Sequence, residues 1–407
     1  MKIILVRSVL FFATVYCFIA ANYNNTNSNL LGAKNNVPPN IAKYVTPHGA
    51  GDHSGDSWSD AYSFQEMKGR LASNTDFYLA DSTFLVDVLE VNGFTNISFI
   101  GQGTDKTILE GIDVSEAENI SEWSLWCFDI LNSPNITVKN LHIRRFRRWG
   151  IRVGSTSSNF FGYNLYIDSC GWTSQIGEVM LSPCAVKLFG DNGHIGQTQI
   201  MNSGWDGMQV GGYYVLVDSS TIYWTGKDDP GAIHQGDGIH VFHNPDITFT
   251  VDNVILKKAG RLIVRDCVID TVEAKKSGIE AGYLGEETEK PMIQVYDSYI
   301  TGGKGIGVTQ NANPVGGAFY STIENSTIQS LDPNRYTRRI ESWDPGTSGW
   351  IRGNRFISPT DYNPLLLCPV GEYDTDSAAV NYPPNTNRWF KGLEEFDFCV
   401  THNLITP

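Results

Sequence analysis

The sequence predicts an all-β chain: a right-handed parallel β-helix, or solenoid, with a short N-terminal capping helix and an irregular C-terminal cap. Two observations point there. A tetrapeptide of Gly, an aliphatic, a variable residue and a small or aliphatic residue recurs along the chain. It reads Gly150-Ile151-Arg152-Val153, Gly207-Met208-Gln209-Val210, Gly238-Ile239-His240-Val241, Gly278-Ile279-Glu280-Ala281 and Gly305-Ile306-Gly307-Val308, with Ala185-Val186-Lys187-Leu188 in the same frame. Its intervals are irregular, roughly 20–40 residues, as expected for coils with loops of varied length rather than propeller blades. A second motif falls between the tetrapeptides: apolar residues, then Asn, Asp or Ser, one residue, and an aliphatic. Examples are Val138-Lys139-Asn140-Leu141-His142-Ile143, Val264-Arg265-Asp266-Cys267-Val268-Ile269 and Val295-Tyr296-Asp297-Ser298-Tyr299-Ile300.

The elements follow in order. Lys2 and Arg7 precede a short apolar run, Ser8 to Ala21. This is the pattern of a secretory signal peptide, cleaved near Ala20 or Ala21, and it is too short to span a bilayer comfortably. Residues 1–21 are therefore read as a leader and 22–42, rich in Asn, Ser and Pro, as a disordered segment. Residues 62–72 carry a helical pattern with Phe64, Met67 and Leu71 on one face. From about 77 to 357 short β-rich runs alternate with Gly, Asn, Asp and Ser, so that 43–357 reads as one β-helix domain with its N-terminal cap. The aperiodic stretch 358–407 is read as the C-terminal cap.

The formal charge is −14, and −16 once a leader carrying Lys2 and Arg7 is removed. A bulk field of that sign excludes nucleic acid and anionic membranes as partners. Six cysteines remain after the leader: Cys127, Cys170, Cys184, Cys267, Cys368 and Cys399. An even count in a secreted chain allows disulfides, with Cys170–Cys184 and Cys368–Cys399 as the expected pairs. Cys127 and Cys267 lie in strand-like runs and read equally well as buried thiols. Sequons at Asn24, Asn96, Asn119, Asn135 and Asn325 are candidate glycosylation sites. Asn96 and Asn135 also each begin a strand, where Asn is an ordinary turn residue.

The segments YVTPHGAGDHSGDSW (44–58), FIGQGTDKTILEG (99–111), NITVKNLHIRRF with GIRV, and NSGWDGMQV together resemble the secreted pectate-lyase-like β-helix superfamily over roughly residues 43–357. The resemblance implies the fold and, more loosely, a carbohydrate substrate, because that superfamily includes lyases, hydrolases, uronan epimerases and proteins without known activity. The set that marks its pectin-hydrolase branch is not present in order: paired aspartates, Gly-His-Gly and Arg-x-Lys.

Side chains alternate across a strand, so the third tetrapeptide position faces out. The outward series is Arg152, Lys187, Gln209, His240, Glu280 and Gly307. On stacked coils its members stand about 4.8 Å apart, close to the length of a sugar unit, although burial alone also makes an outer face polar. Gly211 and Gly282 further along would leave room for a ligand. Arg144, Arg145, Arg147, Arg148 and Arg152 reverse the overall charge locally. Arginine forks suit carboxylates and sulfates, but such a run also serves as a solvated turn paired with acids such as Asp168.

Asp206 and Asp237 each precede a repeated Gly and are expected to stack in register. They are candidate glycosidase carboxylates, or ordinary turn aspartates. Asp228 and Asp229, in the loop 225–236, are candidate Ca²⁺ ligands, and Ca²⁺ is the only cofactor suggested. Trp205 is the aromatic best placed for sugar stacking.

The leading expectation is a monomeric secreted lyase that cuts a uronic-acid glycan by β-elimination. Arg152 or Lys187 would neutralise the carboxylate, and Lys187 or His240 would take the proton. The alternatives are a glycoside hydrolase using Asp206, Asp237 or Glu280, and a non-catalytic glycan-binding or structural protein.

Overall fold

A computed structural model describes residues 39–357 and 404–406, apart from 112–123, 172–182, 224, 226–235, 252–253, 272–277, 282–291, 303–307, 311–318, 331–339, 342–346 and 353–354. The chain separates into Met1–Asn40 and Ile41–Pro407, and the architecture belongs to the second unit. The expected cap 358–407 lies outside the described residues, except that Leu404–Thr406 pairs parallel with Arg355–Ile357.

The chain winds as a right-handed parallel β-helix. Most coils place one strand in a nine-stranded parallel sheet and two in a larger sheet, and two coils give the larger sheet one long strand each, Ile136–Arg144 and Phe161–Asp168. One coil runs through Asp206–Val210, Val215–Asp218 and Thr221–Tyr223. The next runs through Ile239–Val241, Arg261–Arg265 and Val268–Thr271, and all three pairings between the two are parallel.

The second sequence motif is the corner of the larger sheet, where Asp266, Asp297 and Asn325 separate two strands and Asn140 lies within the single strand Ile136–Arg144. Asn140, Asp266, Asp297 and Asn325 adopt left-handed backbone there, with φ of 58°, 53°, 46° and 50°. Asn and Asp tolerate that region better than other residues with a Cβ. One residue on, Ser298 accepts from the Cys267 N–H and Ser326 from the Ser298 N–H, both at 3.2 Å. Hydroxyls thus satisfy the corner amides that no strand pairs.

The interior is built from the aliphatics of the tetrapeptide. Phe128, Ile151, Val186, Met208, Ile239 and Ile279 stack one above another, and all are fully buried. Each such side chain contributes about 1.5–3 kcal/mol, so a charge at Ile239 would break the stack.

The N-terminal end is closed as the 62–72 pattern implied, by a shorter helix, Phe64–Gly69. A capping box starts it: the Ser63 side chain accepts from the Glu66 N–H and the Glu66 carboxylate accepts from the Ser63 N–H. Phe64 and Met67 join the core, and Leu71 packs against it partly buried.

The cysteine expectation is corrected. Cys170 and Cys184 are buried free thiols, as are Cys127 and Cys267. The Cys170 Sγ donates to the Asp168 carbonyl at 3.4 Å and the Cys184 Sγ to the Val186 carbonyl at 3.4 Å. Each sulfur therefore has a local backbone partner. Cys368 and Cys399 lie outside the described residues, as do Asn24 and Asn119. Asn135 and Asn325 are exposed and Asn96 half-buried, all three at left-handed turns, and Asn135 accepts from Asn159 Nδ2 at 2.9 Å in a stacked asparagine ladder.

Candidate functional site

The outward column exists as one ladder. Arg152 pairs with Lys187, Lys187 with Gln209, Gln209 with His240, and His240 with Glu280. The ladder continues at both ends. Glu90 and Asp129 precede Arg152, and Thr309 and Glu341 follow Glu280. Thr309, rather than Gly307, thus stands opposite Glu280. The apolar frame Ile306-Gly307-Val308 offered two registers, and Val308 is the residue that aligns with Ile279. Gly307 lies outside the described residues.

Glu90 and Asp129 were missed because their strands lack the glycine. The signal was still present: Leu89-Glu90-Val91 and Phe128-Asp129-Ile130 place one acid between two aliphatics. Asp129 is buried and faces Arg152 at 3.3 Å. Burial raises its pKa and Glu90 adds to the rise, while Arg152 opposes both.

Around Lys187 the surface is aromatic. Its ammonium lies 4.5 Å from the Phe189 ring centre and 5.2 Å from that of Trp149, and the Arg152 guanidinium lies 5.2 Å from Trp149. The open space expected beside Gln209 is filled, because a Cβ on Gly211 would meet the Phe189 ring at 2.8 Å. Gly282 lies outside the described residues. Trp205 is half-buried rather than exposed.

Asp206 and Asp237 do stack as the turn pattern implied. The Gly207 N–H donates to the Asp237 carbonyl at 2.9 Å. The Asp237 N–H donates to Asp206 Oδ1 at 2.8 Å, and Gln209 Nε2 donates to Asp206 Oδ2 at 2.8 Å. His240 Nδ1 stands 3.6 Å from Asp206 Oδ2 and 3.6 Å from Asp237 Oδ2. The two carboxylates are 1% and 0% exposed and the imidazole 14%. His240 Nε2 is buried as well, without a hydrogen-bond partner, beside the Phe242 ring. As the protein stands, neither carboxylate nor imidazole presents its reactive atom to a polymer.

The arginine run does not form one anion subsite. It turns the corner between the strands Ile136–Arg144 and Trp149–Val153. Arg144 and Arg145 both grip Glu110, each at 2.9 Å, on the larger sheet. Arg147 is buried at the corner, and the Arg148 N–H donates to the Leu125 carbonyl. Arg152 alone of the five joins the ladder. Asp228 and Asp229 lie outside the described residues.

No family model matches this chain, and no curated protein matches it significantly. Among solved structures it is similar to the A-module of a mannuronan C-5 epimerase from Azotobacter vinelandii, at 10% identity over 90% of this chain and 89% of that one, TM-score 0.48. It is also similar to a pectate lyase, at 13% identity over 79% and 77%, TM-score 0.44. A pectin methylesterase from Erwinia chrysanthemi matches at 7% identity over 84% and 95%, TM-score 0.44. At such identities and scores the likeness concerns the path of the chain and carries nothing about chemistry. The β-helix itself stands on the strand registers above.

Proposed function

We propose that this chain is a secreted, monomeric polysaccharide lyase that opens a uronate-containing glycan by β-elimination. One observation supports the reading: Arg152 and Lys187 occupy adjacent rungs of an outward ladder, flanked by Glu90 and Asp129 on one side and Gln209, His240 and Glu280 on the other. Arg152 would pair with the uronate carboxylate and stabilise the charge that develops there. Lys187, acting after it has given up its own proton to solvent, would take the C5 proton. The freed electron pair forms the C4–C5 double bond, the C4–O bond breaks, and the leaving oxygen takes a proton from water. Lys187 suits the base better than His240, whose Nε2 is covered. A glycosidase built on Asp206 and Asp237 fits poorly, since both are at most 1% exposed.

The test is to incubate the full chain with galacturonan, mannuronan, guluronan and glucuronan. Ultraviolet absorbance from unsaturated ends is expected with at least one polymer. New reducing ends without that absorbance would mark a hydrolase. A gel-mobility shift without either would mark a binding protein. Both outcomes overturn the lyase reading. Secretion is checked separately, by sequencing the N-terminus of exported protein for cleavage near Ala20 or Ala21.

A further inference from the structure

The Asp206, Asp237 and His240 cluster has a spacing that hydrogen bonding does not explain. Nδ1 of His240 stands 3.6 Å from an oxygen of each aspartate, beyond hydrogen-bond reach. It is equally far from both. Donors bound at about 2.1 Å to a tetrahedral cation are separated by about 3.4 Å along each edge. The three donor atoms all lie within 4.8 Å of one another. They have the spacing of a ligand set rather than of a hydrogen-bonded triad.

A second observation points to the same place. Gln209 is 1% exposed, and its Oε1 has no hydrogen-bond partner. Its other amide atom, Nε2, is bound to Asp206 Oδ2, so the orphaned oxygen belongs to an amide group that touches the cluster. A buried acceptor without a donor is costly, and a cation seated among these groups would give it a partner.

We propose that Asp206, Asp237 and His240 hold one divalent transition cation of the zinc class, linking two successive coils. The donor set selects the class. Calcium and magnesium take oxygen ligands, whereas an imidazole nitrogen with two carboxylates suits zinc or cobalt. Two carboxylates also balance the charge of a divalent ion in a site closed to water. Asp206 opens one strand and His240 sits in the next, so the ion would clamp neighbouring coils as structural zinc sites do. This site stands apart from the lyase reading, which rests on Lys187 and Arg152.

The experiment measures the metal content of the full chain by plasma mass spectrometry, then strips it with a strong chelator. Close to one zinc-class ion per chain is expected. Stripping should lower Tm by about 5 °C. Zn²⁺ or Co²⁺ should restore it, Ca²⁺ should not, and Co²⁺ should add the visible absorption of a tetrahedral site. Asp237→Asn and His240→Gln should lose the ion, while Lys187→Ala should keep it even if it loses lyase activity. If the first two variants do not fold, the wild-type metal content and cobalt spectrum decide. A metal-free protein with no cobalt spectrum overturns the site. So does a response to Ca²⁺ alone, or cobalt binding that is unchanged in folded His240→Gln.

Discussion

The main-chain N–H of Asp237 donates to Oδ1 of Asp206 at 2.8 Å, so a side chain at the head of one coil receives the backbone of the next. The second oxygen of Asp206 accepts from Gln209, itself a rung of the outward ladder. A single buried carboxylate thus connects the turn of the coil to its outer face.

Asp206→Ala should destabilise the protein clearly, because two buried donors lose their acceptor at once. A loss of about 2–4 kcal/mol is expected, measured as a shift in denaturant midpoint. Asp206→Asn keeps one acceptor but turns an amide N–H toward either Gln209 Nε2 or the Asp237 N–H. It should fall between wild type and the alanine variant. Wild-type stability in the alanine variant would show that the bonds to Asp206 contribute nothing net.

Lys187→Ala should abolish formation of unsaturated product, by at least about 10²-fold, with circular dichroism unchanged. Lys187→Arg should not restore it, since a guanidinium does not give up its proton near neutral pH. Steady-state turnover on the preferred uronan is the measurement. Activity retained in the alanine variant would remove Lys187 from the reaction.

Acid should weaken the fold through His142. Its pKa is lowered to about 4, first by burial and then by Arg144, against the opposite pull of Asp168 and Glu110. The unfolded chain takes a proton near pH 6.5, while the folded chain resists until about pH 4. Stability therefore falls as pH drops from 6.5 toward 4 and levels off below. The contribution is on the order of 2–3 kcal/mol, at about 1.4 kcal/mol per pKa unit. His142→Phe, which keeps a ring against Tyr166, should flatten that part of the Tm–pH curve.

The four described thiols should resist alkylation in the folded protein. Burial pushes Cys170 and Cys267 up to about 12 and also raises Cys127 and Cys184 well above the ordinary thiol range, and only a thiolate attacks. After denaturation without reductant, mass spectrometry should find all four labelled. An unlabelled Cys170–Cys184 peptide pair, lighter by two hydrogens, would restore the disulfide.

Arg152, Lys187, Gln209, His240 and Glu280 could be placed on one face because each sits between two aliphatics that must be buried, and strand alternation does the rest. The same logic failed one coil later. Ile306 and Val308 are both apolar, so pattern alone could not say which aligns with Ile279. The arginine run misled for a related reason. Local charge density says nothing of a corner within it, and that corner leaves Arg144 and Arg145 with Glu110 on the larger sheet while Arg152 joins the other.

The sequence by itself determined the parallel β-helix, its N-terminal helix and the outward column, because these follow from local periodicity and from turn residues that tolerate left-handed backbone. Only the tertiary structure decided what else lies beside what across coils: His240 against the Asp206–Asp237 stack, the Phe189 ring over Gly211, the free thiols and the extension through Asp129 and Glu90. Those contacts join residues some 20–40 positions apart through loops of unequal length. Local pattern specifies each strand but leaves the register between strands to packing in three dimensions.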